Sequence, residues 1–141
     1  MNKASESADH PIAVVESFLH ALEQQDMERV LSFLADEIVY QNVPLPPDRG
    51  KAAVTRTLKG FERFVNKFEV KMINIAARDG VVLTERIDIL SGPLLHLDLW
   101  VCGTFEVKDG KITLWRDYFD LASAAAKLVT GPIRKLLGRV G

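Results

Sequence analysis

The chain has 141 residues, 48% of them hydrophobic and 26% charged, a balance that fits one domain with its own core and excludes disorder in its body. Lys plus Arg number 18 against 19 for Asp plus Glu, so the net charge of −1 leaves no basic footprint for nucleic acid. The single cysteine excludes an internal disulfide framework and a multi-cysteine zinc site, and no apolar run approaches the roughly 20 residues of a membrane span.

Residues 1–10 are polar and read as a flexible tail with no signal-peptide character, which makes the cytoplasm the default compartment. Residues 11–141 read as a single domain. Pro11 opens a helix, where its missing N–H costs nothing, and Ile12, Val15, Leu19 and Leu22 form its apolar stripe. Asp26 caps a second, shorter helix with Val30, Phe33 and Leu34 on its inner face. Residues 37–42 read as a strand on which Ile38, Tyr40 and Asn42 share a face. Three prolines exclude helix and central strand from residues 43–50, and a third helix follows with Val54, Leu58 and Phe61 in register.

From residue 67 the apolar period falls to two. Four strands are predicted: one from about Lys67, a return over 81–90 after the Asp79-Gly80 turn, a long strand over 94–107, and a last strand over 112–119. Ser91-Gly92-Pro93 and Asp109-Gly110 make the other turns. Asp120 caps a terminal helix over about 121–137, with Leu121, Ala125, Leu128 and Ile133 inward and Gly131-Pro132 as a break. Helices beside a largely antiparallel sheet give an α+β domain, and a sheet curled around its helices gives a cone with an apolar pocket.

Three short pieces place polar groups where a strand wants apolar ones. Arg86 and Asp88 share one strand face, with Ile87 and Ile89 on the other. Either the isoleucines face a core and the charges face solvent, or the sheet is curled and Arg86 and Asp88 line a cavity. Asp117 shares a face with Trp115 and Phe119, so it either sits on a half-exposed edge or is buried with a partner such as Arg86. Tyr40 and Asn42 either hold one small molecule together or are a core tyrosine and a turn asparagine. Two acids, an Arg, a Tyr and an Asn without metal-ligand spacing suit acid/base chemistry. His96 reads as a surface histidine and Cys102 as a small core hydrophobe. Lys51, Arg56, Arg134, Lys135 and Arg139 read as solvated helix faces, and no phosphate loop, GxSxG or HExxH is present.

The stretches Tyr40-Gln41-Asn42-Val43-Pro44-Leu45-Pro46-Pro47, Thr84-Glu85-Arg86-Ile87-Asp88-Ile89-Leu90 and Gly110 to Asp120, in this order, resemble the limonene-1,2-epoxide hydrolase family within the nuclear-transport-factor-2-like or SnoaL-like cone fold. The similarity covers about residues 11–125. It implies that Asp88, Arg86 and Asp117 form an Asp-Arg-Asp triad with Tyr40 and Asn42 as water ligands, and that both polar faces point into the cone. It implies a general-acid role for Asp88, a general-base role for Asp117, no metal and no cofactor, and a homodimer. The expected partners are a small apolar epoxide and a nucleophilic water, with no nucleic acid and no membrane. Leu22, Phe61, Leu90, Leu99, Val101 and Phe119 are the expected wall residues, by face and by similarity, for a terpene-sized or larger epoxide. Two rival readings stand beside this one: a ketosteroid-isomerase-like proton transfer, and a non-catalytic ligand-binding or dimerisation module.

Overall fold

A computed structural model describes residues 3–127, and side chains from His10 onward. Helix α1 (Lys3–Glu23) is followed by α2 (Met27–Ser32), strand β1 (Leu34–Val43), the short strand β2 (Asp48–Arg49) and α3 (Lys51–Glu62). Strands β3 (Lys67–Arg78), β4 (Val81–Gly92), β5 (Leu95–Lys108) and β6 (Lys111–Tyr118) then form a meander, and residues 121–127 begin a last helix, α4. One six-stranded sheet results, in the order β2-β1-β6-β5-β4-β3. Among the described residues only β1 and β6 pair in parallel; every other pair is antiparallel. This is the expected α+β architecture of helices against one curved mixed sheet.

Local chemistry explains most of the boundaries. Asp26 caps α2, its side chain accepting from Arg29 N at 3.1 Å. Asp79-Gly80 and Asp109-Gly110 take positive φ at both positions, as a tight hairpin turn requires. Asp120 Oδ1 accepts from Ala122 N and Ser123 N, and thereby starts α4 as expected.

Several boundaries differ from the sequence expectations. The backbone is helical from Lys3, so Pro11 stands inside α1 rather than at its first turn. A proline removes its own donor, and the Ala- and Glu-bearing turn before it remains compatible with helix. Leu34 opens β1 rather than closing α2, because Phe33 O accepts from Ile112 N and sheet pairing takes over there. Strand β2 was not expected; it lies just past the prolines and pairs with Val39 and Tyr40 at the sheet edge. The β4–β5 turn is at Pro93-Leu94, since Ser91 and Gly92 still pair with His96 and Leu95. In α4 Ala124 is buried and Leu121 and Ala125 line the cavity described below, while Leu128, Ile133 and Gly131-Pro132 lie outside the described residues. Cys102 is half-buried on the convex side of the sheet and is not a core residue.

The core fills the concave side of the sheet. Phe18 of α1 sets its ring edge-on to Trp115 at 4.9 Å, to Phe105 at 6.2 Å and to Phe33 at 6.5 Å. Val15, Leu19, Ile38, Val54, Val82 and Ile112 close around these rings.

Candidate active site

The site grows from the concave face of β4, β5, β6 and β1. Across these strands one row of paired residues reads Thr84, Gly103, Asp117, Asn42, and the adjacent row reads Val82, Phe105, Trp115, Tyr40. Arg86 and Asp88 follow Thr84 at two-residue spacing, so all three side chains point into the concavity. Ile87 and Ile89 lie half-buried on the convex side. The curled-sheet alternative is therefore the one this chain adopts.

Arg86 is 1% exposed, and Asp88 and Asp117 are each 6% exposed. Arg86 Nε donates to Asp88 Oδ1 at 2.8 Å, and Nη2 donates to Asp88 Oδ2 at 3.1 Å, a bidentate fork. Nη2 also lies 2.8 Å from Asp117 Oδ1, a close ion pair set off the line of the N–H bond. Nη1 donates to Thr84 Oγ1 at 2.9 Å. The guanidinium carbon stands 5.9 Å from the centroid of the Phe105 ring, within cation–π range. Asp117 Oδ2 accepts from Trp115 Nε1 at 3.1 Å. Asn42 Nδ2 donates to Tyr40 Oη at 2.9 Å, and the Tyr40 ring lies 3.9 Å from that of Trp115.

Burial dominates the electrostatics. It pushes Asp88 up to about 6 against the attraction of Arg86, with help from the charges of Asp117 and Glu23. Asp117 is raised by the same desolvation, against Arg86 and the Trp115 hydrogen bond. Burial would lower Arg86, but Asp117 and Asp88 outweigh it and hold the guanidinium protonated. Burial and the Asp117 charge also keep the Tyr40 phenol protonated. The two carboxyls around one fixed cation form a coupled acid/base pair, able to hold a proton on one member while the other is ionised.

Above this polar floor lies a cavity of about 440 Å³. Tyr40, Asn42, Asp88 and Asp117 reach it, and apolar side chains make most of the rest. All six expected wall residues line it: Leu22, Phe61, Leu90, Leu99, Val101 and Phe119. Phe61 lines the cavity and is 44% exposed. The sequence reasoning missed Thr84 and Gly103, which touch or face the triad. Thr84 carried the same two-residue parity as Arg86 and Asp88, and a glycine inside a strand marks a close approach. Both signals were present. His96 is exposed on the other side of the sheet, paired with Asp98 at 3.1 Å, as its surface reading expected. Among the described residues no helix is long and apolar enough to cross a membrane, and no cluster of three or more His, Cys, Asp or Glu is placed to hold a metal.

A family model for the limonene-1,2-epoxide hydrolase catalytic domain matches residues 9–129. Epoxide hydrolase EphG from Mycobacterium tuberculosis is 44% identical over 117 residues, covering 83% of this chain and 78% of the relative. The solved structure of an M. tuberculosis LEH-like epoxide hydrolase superposes with a TM-score of 0.84 at 40% identity, covering 94% of each chain. An NTF2-like protein of unknown function from Cytophaga hutchinsonii shares the fold alone, with a TM-score of 0.68 at 18% identity over 81% of this chain and 93% of that one.

Proposed function

The chain belongs to the limonene-1,2-epoxide hydrolase family and is an epoxide hydrolase, and from that premise we propose that it adds water to an apolar, terpene-sized or larger epoxide in one step, giving a vicinal diol. The enzyme in this reading is cytoplasmic, homodimeric and independent of any cofactor. The observation that carries the mechanism is Arg86, fully buried and bridging two carboxyls at the floor of an apolar cavity.

Opening an epoxide needs a proton on oxygen and a nucleophile on carbon. Asp88, held near 6 by burial, is the general acid that protonates the epoxide oxygen. Asp117 is the general base that takes a proton from water. The hydrogen-bond inventory fits one water at this point. Tyr40 Oη accepts from Asn42 and keeps its own proton to donate, Asn42 keeps Oδ1 to accept, and Asp117 stands opposite Asn42 in the sheet. Such a water donates one hydrogen bond to Asn42 Oδ1 and one to Asp117, accepts one from Tyr40 Oη and retains a lone pair for attack. After ring opening Asp117 carries a proton and Asp88 has lost one, and Arg86 faces the same total charge throughout. Six apolar wall side chains favour a substrate without polar groups beyond the epoxide, and the volume lies within the usual range for sites that enclose a small ligand. Proton transfer in the isomerase style gains nothing from an Arg placed between two acids. For the homodimer, Leu83, Trp100 and Tyr118 stand exposed on the convex face of the sheet and supply an apolar surface for a second copy.

A diol-formation assay over cyclic and steroidal epoxides tests the activity; no turnover on any member would overturn it. The one-step route is tested separately by single turnover with enzyme in excess in ¹⁸O-enriched water. Direct attack puts solvent label into the first diol formed. An ester intermediate on Asp88 or Asp117 would deliver unlabelled oxygen first.

A further inference from the structure

We infer that Gly103 and Thr84 are the positioning residues of the Arg86 bridge: Gly103 leaves the gap on β5 through which the guanidinium reaches Asp117, and Thr84 fixes its rotation. The inference rests on the acid/base reading above and extends it to two residues that touch no substrate.

Arg86 and Asp88 stand on β4, while Asp117 stands on β6, with β5 between them. Two strand spacings amount to about 10 Å, so the cation must cross the middle strand to meet both acids. In the row that crosses the sheet there, Gly103 lies between Thr84 and Asp117 and is the one member without a side chain. A Cβ on Gly103 would overlap Arg86 Nη1 and come within 2.8 Å of both Asp117 Oδ1 and Thr84 Oγ1. The guanidinium thus occupies the space a side chain at 103 would fill. Gly103 is in a strand and its φ is not in the left-handed region, so the requirement is for room and not for backbone freedom.

Thr84 supplies the second constraint. Its hydroxyl lies 3.4 Å from Gly103 O, to which it donates, and it accepts from Arg86 Nη1 at 2.9 Å. With Nε and Nη2 on Asp88 and Nη1 on Thr84, the planar fork has one rotation left, and that rotation holds Nη2 2.8 Å from Asp117 Oδ1. Thr84 is 4% exposed, so an Nη1 deprived of this acceptor has no ready water to turn to.

The test is Thr84→Val against Thr84→Ser, with Gly103→Ala as a third variant. The titratable groups facing the bridge are Asp88 on β4, Asp117 on β6, Tyr40 on β1 and Glu23 on α1; β3 and β5 present none to it. Loosening the cation weakens its hold on the ionised acids, so their proton affinity rises. In Thr84→Val, kcat should fall about tenfold with KM unchanged, the scale of one hydrogen bond to a charged group. The acid limb of its pH–rate profile should move to higher pH. Thr84→Ser should restore both. Carbon-13 titration of labelled aspartates in the folded, unliganded protein should show the same upward movement, without any turnover. A packing role alone would leave the pH limb in place. The inference is overturned if Thr84→Val keeps the wild-type kcat and titration midpoints, or if Thr84→Ser is as impaired as Thr84→Val. Gly103→Ala should lose at least tenfold in kcat, and wild-type behaviour there would equally overturn it. If wild-type protein hydrolyses no epoxide, the functional reading falls, while the carboxyl titrations of the Thr84 variants still decide this point.

Discussion

Arg86 carries one positive charge between two carboxyls where none of the three meets bulk water, and each substitution there has a distinct expected result. In the proposed mechanism Asp117→Asn removes the base and Asp88→Asn the acid, so each should lose at least ~100-fold in kcat, the scale of one positioned acid/base group. Near-normal turnover by either variant on a good epoxide, with native circular dichroism, would dismiss the assignment. Arg86→Lys should be as severe, because an ammonium cannot hold two carboxyls with one planar fork. Tyr40→Phe and Asn42→Ala should act differently. In the proposed mechanism they orient a water and do not grip the apolar body of the substrate, so kcat should drop while KM stays within about twofold. A KM effect with unchanged kcat would reassign them to substrate binding. These five residues were legible as candidates because polar groups recur at two-residue spacing on short strands, and the resemblance to a known family, not the pattern alone, singled them out. The direction they face was not legible from periodicity. Ile87 and Ile89 look like a core face, and on an uncurled sheet they would be one. On this sheet the concave side buries Arg86 and Asp88, and the isoleucines sit half-buried on the convex side.

At the scale of elements, α4 is the piece on which site and stability meet. Its first residues, Leu121 and Ala124, line the cavity, and Asp120 holds its start through Ala122 N, Ser123 N and Ser123 Oγ. Asp120→Ala should lower the stability of the protein, as lost N-caps do. It should also raise KM several-fold for bulky epoxides while kcat changes little, because the wall is loosened and the triad is not touched. Denaturant melts and steady-state kinetics on one preparation check both, and a kcat loss with unchanged KM would count against α4 as a wall. The elements that were legible in advance owe this to strong local signals: Asp26 and Asp120 as caps, and the two Asp-Gly turns. Those that were not depend on distant partners. Strand β2 is two residues long and exists through its pairing with Val39 and Tyr40. Leu34 leaves the helix because Ile112, nearly eighty positions away, bonds to the carbonyl before it. No window of neighbouring residues contains that information.

At the scale of the whole molecule the raised acids tie stability to pH. Asp88 is raised from 3.8 to about 6 on folding, so the folded state binds its proton more tightly than the unfolded chain. The associated stability is full below about pH 3.8 and is lost as pH rises through about 6. Urea unfolding of the wild type and of Asp88→Asn across that window should show the wild type losing stability relative to the variant as pH rises. The variant keeps a single Arg86–Asp117 pair that needs no proton to be balanced. A difference that is flat with pH would show that Asp88 does not titrate in the window. The parallel pairing of β1 with β6 bears on a different moment in the molecule's life. Translation delivers the chain from its N-terminus, and β6, the last strand among the described residues, lies inside the sheet between β1 and β5. Until Lys111 to Tyr118 have left the ribosome, the β1–β2 pair and the β3–β5 meander are two fragments, each showing an open edge to solvent. The nascent chain therefore has Arg86 and Asp88 on one fragment and Tyr40 and Asn42 on the other, with Asp117 on neither. A single strand thus closes both edges and brings Asp117 to Arg86 with it.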